Sequence, residues 1–135
     1  MAFAMNNTLK NALLGNAVTY LAGTTGTAGT ATLTIRAGDQ PSAESAGTGG
    51  TLCVITGIGW NSGTAGTSTL AGTYSGTAGS TGDAGWARLQ CVNTAGTCRI
   101  DGNVGTSGTN TFTINTTTIT EDGEVILSAA SMYLS

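Results

Sequence analysis

Apolar and polar residues follow two different periods along this chain. From residue 6 to residue 22 the apolar side chains recur at spacings of three and four, which predicts a helix. The stripe consists of Met5, Leu9, Ala12, Leu13, Ala17, Tyr20 and Leu21. Asn6 or Asn7 can cap this helix, and Gly23 suits the position just after its end. The stripe either covers an open face of the rest of the protein or docks on a neighbouring subunit.

After the helix, the period shortens to two, as expected for half-buried strands. Leu33 and Ile35 alternate with polar residues between Ala31 and Arg36, whereas Leu52–Ile58 is a mostly apolar run that predicts a central strand. Further strands are predicted at 69–74, 86–92, 97–101, 111–114 and 125–134, and residues 75–85 are predicted to lack regular structure.

Strands that follow one another without alternating helices predict a mainly β fold. We expect an antiparallel β-sandwich or jelly roll of about seven short strands with one N-terminal helix. The predicted organisation is an N-terminal arm and helix over residues 1–23, followed by a single β-sandwich domain over residues 24–135.

The stretch Gly85–Gly102 carries the clearest hairpin signal, because the turn residues 93–96 separate two strand patterns. Trp86, Arg88, Gln90 and Val92 share one face of the first strand, and Ala87, Leu89 and Cys91 share the other. Cys91 and Cys98 can face each other across the hairpin, either as a disulfide or as reduced thiols.

Two further expectations concern the rare large side chains. Trp60 and Trp86 each lie beside a strand rich in apolar residues, which favours burial in the core over stacking on sugars. Arg88 and Arg99 are expected to pair with Asp83 or Asp101 in a surface or inter-subunit salt bridge.

Composition limits how much core the chain can build. Large aliphatic residues are sparse, 22 of the 135 residues are glycine, and threonine is abundant. The net charge of −3 is too small for the usual signature of disorder, so short strands joined by many turns are predicted instead. A thin core predicts a marginally stable protomer that buries further surface in an oligomer or a larger assembly.

Candidate chemistry is scarce. The sequence has no histidine, and Cys53, Cys91 and Cys98 lack the spacing of a zinc site. Asp39 and Glu44 are the remaining pair for a carboxylate-based glycosidase, while the acidic residues at 121, 122 and 124 crowd a turn and indicate solvation. We therefore expect no enzyme activity, no cofactor and no metal site.

The charge pattern also bears on partners. The four basic residues are dispersed at positions 10, 36, 88 and 99, whereas a nucleic-acid surface needs clustered positive charge. No apolar run approaches the roughly 20 residues that cross a bilayer. Neither nucleic acid nor a membrane is expected as a partner.

Several short motifs resemble those of small Gly/Thr/Ala-rich virion proteins of tailed bacteriophages. They are Arg36-Ala37-Gly38-Asp39-Gln40-Pro41, Gly50-Thr51-Leu52, Gly85-Trp86-Ala87-Arg88-Leu89 and Gly96-Thr97-Cys98-Arg99-Ile100-Asp101-Gly102-Asn103-Val104-Gly105. Proteins of this kind are β-rich capsid decoration (cement) proteins or tail-associated components. The resemblance covers roughly residues 30 to 130 and supplies no binding residues.

The resemblance implies a structural virion protein, made in the bacterial cytoplasm and located on the capsid surface. A decoration protein, as a homotrimer, would bind and bridge major capsid subunits; the alternative is a tail- or fibre-associated protein that recognises the host surface. From its own sequence, the N-terminal arm and helix are the expected partner contact, through Phe3, Leu9, Leu13 and Tyr20.

Overall fold

One helix and nine strands make up the computed structural model, which describes residues 4–22, 26, 29–42, 45–90 and 99–133, the last three helical residues and residue 133 by their backbone alone. The elements are α1 (Asn7–Ala22), β1 (Ala31–Ala37), β2 (Thr51–Ile58), β3 (Thr67–Thr69), β4 (Tyr74–Thr77), β5 (Gly82–Gln90), β6 (Arg99–Gly105), β7 (Phe112–Ile114), β8 (Thr118–Ile119) and β9 (Glu124–Tyr133). The predicted mainly β fold with one N-terminal helix is confirmed.

The strands form one curled, mixed sheet in the order β2-β1-β5-β6-β7-β9-β3. β4 pairs with β9 and also approaches β2, where Cys53 bridges to Ala78 and the Gly79 N–H donates to the Leu52 carbonyl. β8 pairs with the start of β5. The curl brings the two ends of the sheet toward each other around one core.

All strand pairs are antiparallel except β6 and β7, which run parallel through Val104–Phe112 and Gly105–Thr113. The prediction of a wholly antiparallel arrangement is therefore wrong at this pair. Side chains hold the connecting loop: Asn103 Oδ1 accepts the Thr111 N–H at 2.8 Å, and Asn110 Nδ2 donates to the Ser107 carbonyl at 3.1 Å. These bonds turn the chain back so that β7 begins beside the end of β6.

Two predicted strand assignments also need correction. Residues 70–73 interrupt the strand expected at 69–74, and β4 and the start of β5 lie within the stretch expected to lack regular structure. β2 stands at one end of the strand order, not at its centre, and Val54 on it is 43% exposed. Continuous apolar character did not distinguish a central strand from one covered mainly on one face.

The core lies inside the curl and draws on nearly every strand. Its largest side chains are Trp60, Leu33, Ile35, Ile55, Ile58, Leu89, Phe112, Ile114, Ile119 and Leu127. The burial of Leu33 and Ile35 on β1 follows the predicted alternation, because successive side chains of a strand point to opposite faces.

The opposite, outer face of β5 is buried as well. Trp86 and Arg88 lie there, 0% and 4% exposed, while Ala87 and Leu89 point into the core. Residues 45–50, which we call the strap, cross this face: Arg88 Nη1 donates to the Ser45 carbonyl at 2.8 Å, and Arg36 Nη1 donates to the Gly49 carbonyl at 3.0 Å. The sheet is thus covered on two sides at β5.

Arg88 and Asp101 form a bidentate ion pair under the strap. Arg88 Nε lies 2.7 Å from Asp101 Oδ1 and Nη2 lies 2.8 Å from Oδ2, with the two side chains 5% and 1% exposed. The hydrogen bonds that Arg88 donates to Asp101 raise the pKa of the guanidinium, which also lies 5.4 Å from the centre of the Trp86 ring. Pairing of Arg88 with Asp101 is confirmed, but it is buried within the protomer and not at its surface.

Gly85 allows the chain after β1 to pass close to β5. Gly85 is the extra residue of a bulge in β5, between Ala84, which pairs with Ala37, and Trp86, which pairs with Arg36. A Cβ atom at Gly85 would collide with the Gly38 carbonyl oxygen, so only glycine lets the chain after β1 pass this close.

We expect Asp101→Asn to lower the free energy of unfolding by about 3–5 kcal/mol, because it leaves the buried Arg88 charge without its counter-ion. Asp83→Asn, at an exposed carboxylate on β5, is the matched control and should change stability by less than about 0.5 kcal/mol. Urea denaturation of both variants measures the difference; equal, small losses would contradict a structural role for the ion pair.

Cys53 gives a pH-dependent prediction. Burial raises the pKa of its thiol, partly offset by a backbone hydrogen bond at Val54. The folded protein therefore keeps this proton above about pH 8.5, where the unfolded chain begins to lose it. Below that pH the thiol's contribution to the free energy of unfolding is fully present, and it is lost as the pH rises through the folded pKa.

Cys53→Ala removes this contribution. The variant should lose less stability than the original chain between pH 8 and pH 10 in denaturant titrations, and parallel pH profiles would contradict the assignment. Cys91 and Cys98 lie outside the described residues, so both alternatives for them, a disulfide and reduced thiols, stay predictions.

Candidate partner-binding surface

α1 starts at a side-chain cap. The Asn6 Oδ1 accepts the Leu9 N–H at 3.0 Å, and the Asn6 carbonyl accepts the Lys10 N–H at 3.1 Å. The predicted cap is confirmed at the first of its two candidates. The cap satisfies one of the backbone donors that every helix leaves open at its start, and so fixes where the helix begins.

One face of α1 anchors the helix to the β-domain. Leu14 and Val18 are buried, and Val18 belongs to the core. Asn11 adds a polar anchor, because its Oδ1 accepts the Gly66 N–H at 2.9 Å. Residues 11, 14 and 18 are separated by three and four positions, the spacing that places side chains on one helical face.

The helix lies directly against the loop between β2 and β3. A Cβ atom at Gly63 would sit 3.0 Å from the Leu14 Cβ and 3.3 Å from the Asn11 Cα. A residue larger than glycine at this position would require α1 or the loop to shift by a few tenths of an ångström. The contact therefore sets the distance at which the anchoring face packs.

The other face of α1 exposes apolar side chains. Leu9 is 48% exposed and Leu13 is 43% exposed, and with Val54 on β2 they are the large hydrophobic side chains that the described part of the chain leaves exposed. Leu9 and Leu13 stand four residues apart, one turn above the other on the same face. We call this pair, with the exposed helix surface around it, the outer face of α1.

This arrangement shows which part of the apolar stripe faces solvent. Leu9 and Leu13 do not cover the β-domain; the neighbouring face with Leu14 and Val18 does. Of the four residues expected to contact a partner, Leu9 and Leu13 are thus placed at the surface together. Tyr20 belongs to α1, but its side chain lies outside the described residues, as does all of Phe3.

A groove runs beside the helix. A cavity of about 560 Å³ lies between α1, the loop after β6 and the end of β9. It is lined by Leu14, Ala17, Ile100, Gly108, Thr109, Asn110, Thr111, Ser131 and Met132. A smaller cavity of about 210 Å³ shares Gly108, Asn110 and Ser131 with it. None of the residues in the larger lining carries a charge, and four of them are apolar.

The other candidates from the sequence do not converge on a site. Asp39 is exposed and Glu44 lies outside the described residues, while the acidic residues at 121, 122 and 124 are exposed around a turn. Within the described ranges no three metal-ligating side chains come together, and no helix there is long and apolar enough to span a bilayer.

Both tryptophans are buried, with Trp60 1% exposed and Trp86 0% exposed, but the predicted position in the core is correct for Trp60 alone. Trp60 belongs to the core, whereas Trp86 lies on the outer face of β5 beneath the strap. Neither ring is available to stack on a sugar.

Two adjacent leucines test the assignment of the two helix faces. Leu14→Ala should cost about 2–5 kcal/mol of unfolding free energy, because it removes a buried side chain and leaves a cavity. Leu13→Ala should cost less than about 1 kcal/mol, because that side chain already contacts solvent. Thermal or urea unfolding compares them, and equal losses would show that the faces are wrongly assigned.

Comparison with protein-family models, with curated proteins and with solved structures found no match to this chain. The observations that bear on function are therefore the outer face of α1, the uncharged groove beside it and the motifs described from the sequence.

Proposed function

We propose that this chain is a structural protein of a tailed-bacteriophage virion, a capsid decoration (cement) protein that acts as a homotrimer. In this role it binds neighbouring major capsid subunits and bridges them, which stabilises the head. The mechanism is burial of surface without catalysis: each copy contacts more than one partner, and the combined attachment is tighter than any single contact.

The outer face of α1 carries this proposal. Two leucines at least 43% exposed, one helical turn apart, form an apolar contact that a protein partner can bury. The face is held rigidly, because the opposite side of the helix is fixed by Leu14, Val18 and the Asn11 hydrogen bond. A rigid apolar face loses little conformational entropy when it binds.

The sparse core supports the same proposal. A chain with few large aliphatic residues gains stability when it binds a partner in its folded state, by mass action. A protein that works only in an assembly is bound to its partners when it functions, so its stability can depend on that binding. Because the sequence motifs resemble those of phage virion proteins, we propose the capsid as the partner.

A finer description of the fold belongs to this proposal. The core contacts both the β1–β5 side of the curl, through Leu33 and Leu89, and the β7–β9 side, through Phe112 and Leu127. We propose that these sides form the two layers of a sandwich or jelly roll. An experimental structure in which a single continuous layer wraps the core would contradict that description.

The alternative function, host recognition by a tail- or fibre-associated protein, was expected to use exposed aromatic rings in a groove. Trp60 and Trp86 do not supply them, because both are buried. We therefore propose the decoration protein alone.

Attachment to purified phage heads tests the proposal. In the variant Leu9→Gln/Leu13→Gln, the glutamines keep helix propensity and remove the apolar contact. Each leucine has about half of its surface left to bury, so the pair contributes about 2 kcal/mol, and the Kd for heads should rise about 30-fold.

The control is Val54→Thr, which changes an equally exposed apolar residue on β2 and should leave attachment unchanged. Circular dichroism of each variant checks that the fold is retained. Unchanged head occupancy for Leu9→Gln/Leu13→Gln would contradict the assignment of the outer face of α1 to the capsid contact.

A further inference from the structure

β7 is shorter than the two strands that it lies between, β6 and β9. β7 lies between β6 and β9, where Phe112 pairs with Val104 on one side and with Ala130 on the other. β6 extends back from Val104 to Ile100, and β9 extends from Ala130 to Met132 and beyond. Both neighbours therefore run past the point where β7 begins.

The two extensions have their other edges occupied. Ile100 and Asp101 pair with Leu89 and Arg88 of β5. In the same way, Ser131 and Met132 pair with Thr69 and Ser68 of β3. On the edges that face each other across the start of β7, these four residues have no strand partner among the described residues.

The groove described above lies between these two edges. Ile100 lines it from β6, Met132 lines it from β9, and Leu14 and Ala17 line it from α1. Strands flanking a missing middle strand are two spacings apart, about 9.5 Å, which is the width that one additional strand fills. We call this gap the slot.

The chain's own loop lines the slot but does not continue β7 along it. Thr111 packs over Gly102, and the preceding residues curl away because Asn110 donates to the Ser107 carbonyl. Backbone groups along an unpaired strand edge are a template for another strand, and binding by strand addition uses such edges. The slot offers two of them at once.

We propose that the slot binds residues 1–5 of a second copy of this chain as an added β-strand. This segment, Met-Ala-Phe-Ala-Met, has no charged side chain, no glycine and no proline. It matches a slot whose lining has no charged residue and includes Leu14, Ile100 and Met132. The proposal concerns the contact between copies and does not depend on the capsid as partner.

Distance favours a second copy over the same chain. Five extended residues span at most about 17 Å. The helix advances about 12 Å from Asn6 to Leu14 and about 17 Å from Asn6 to Ala17. A segment that turned back from Asn6 would reach the slot with its first residues only, whereas a neighbour's segment can lie along it.

Cross-linking between two variants tests this contact. Both carry Cys91→Ser and Cys98→Ser, and the remaining Cys53 is buried. One has Phe3→Cys and the other has Met132→Cys; after mixing and mild oxidation we expect a disulfide-linked dimer at least tenfold more abundant than with the control Ser80→Cys, at an exposed turn. Equal or absent cross-linking at Met132 overturns the proposal.

Three more experiments complete the test. Removal of residues 2–5 should lower the molar mass of the oligomer in light scattering while the circular dichroism spectrum is retained. An unchanged mass, or a full-length chain that is monomeric, overturns the proposal.

A variant with both Phe3→Cys and Met132→Cys should form dimers, and an internal disulfide in diluted monomers overturns the assignment to a second copy. Leu9→Gln/Leu13→Gln should still cross-link, which separates this contact from the one proposed with the capsid.

Discussion

The ion pair between Arg88 and Asp101 determines how a chain with few large apolar residues can cover its sheet. Charged side chains are stable in a protein interior only when their partners and hydrogen bonds are complete, and here Arg88 bonds to both carboxylate oxygens and to the Ser45 carbonyl. Those bonds hold the strap over Trp86, so that β5 is buried on both faces. Burial of a polar layer outside the sheet thus supplements the thin apolar core inside it.

Because the chain has few large apolar residues, those that remain exposed are informative about binding. α1 uses Leu14, Val18 and one asparagine hydrogen bond to reach the β-domain, and leaves Leu9 and Leu13 in solvent. In a chain where large aliphatic residues are sparse, a second apolar face on the only described helix is an interaction surface by our interpretation. The helix also lines the slot, so the binding of copies to each other and of the protomer to a capsid would involve two sides of one element.

Sequence periodicity predicted the parts of the fold that depend on local pattern. The helix and its Asn6 cap, the alternation of Leu33 and Ile35, and the two faces of β5 follow from spacings of three to four and of two. It did not predict the parallel pairing of β6 with β7, because that pairing depends on asparagine hydrogen bonds in a loop. It also could not distinguish which face of α1 packs inward, since apolar residues occur on both; the close approach of Gly63 to Leu14 decides this, and only the fold brings them together. Likewise, a slot formed by two distant strand edges has no signature within either strand.

The central claim is that this chain attaches to a phage head through the outer face of α1. Electron cryo-microscopy of the intact virion tests it most directly, at a resolution that places side chains. We expect copies on the capsid surface, each with Leu9 and Leu13 buried against a major capsid subunit. A map in which the chain lies on the tail, or in which the outer face of α1 is turned to solvent on the head, would contradict the claim.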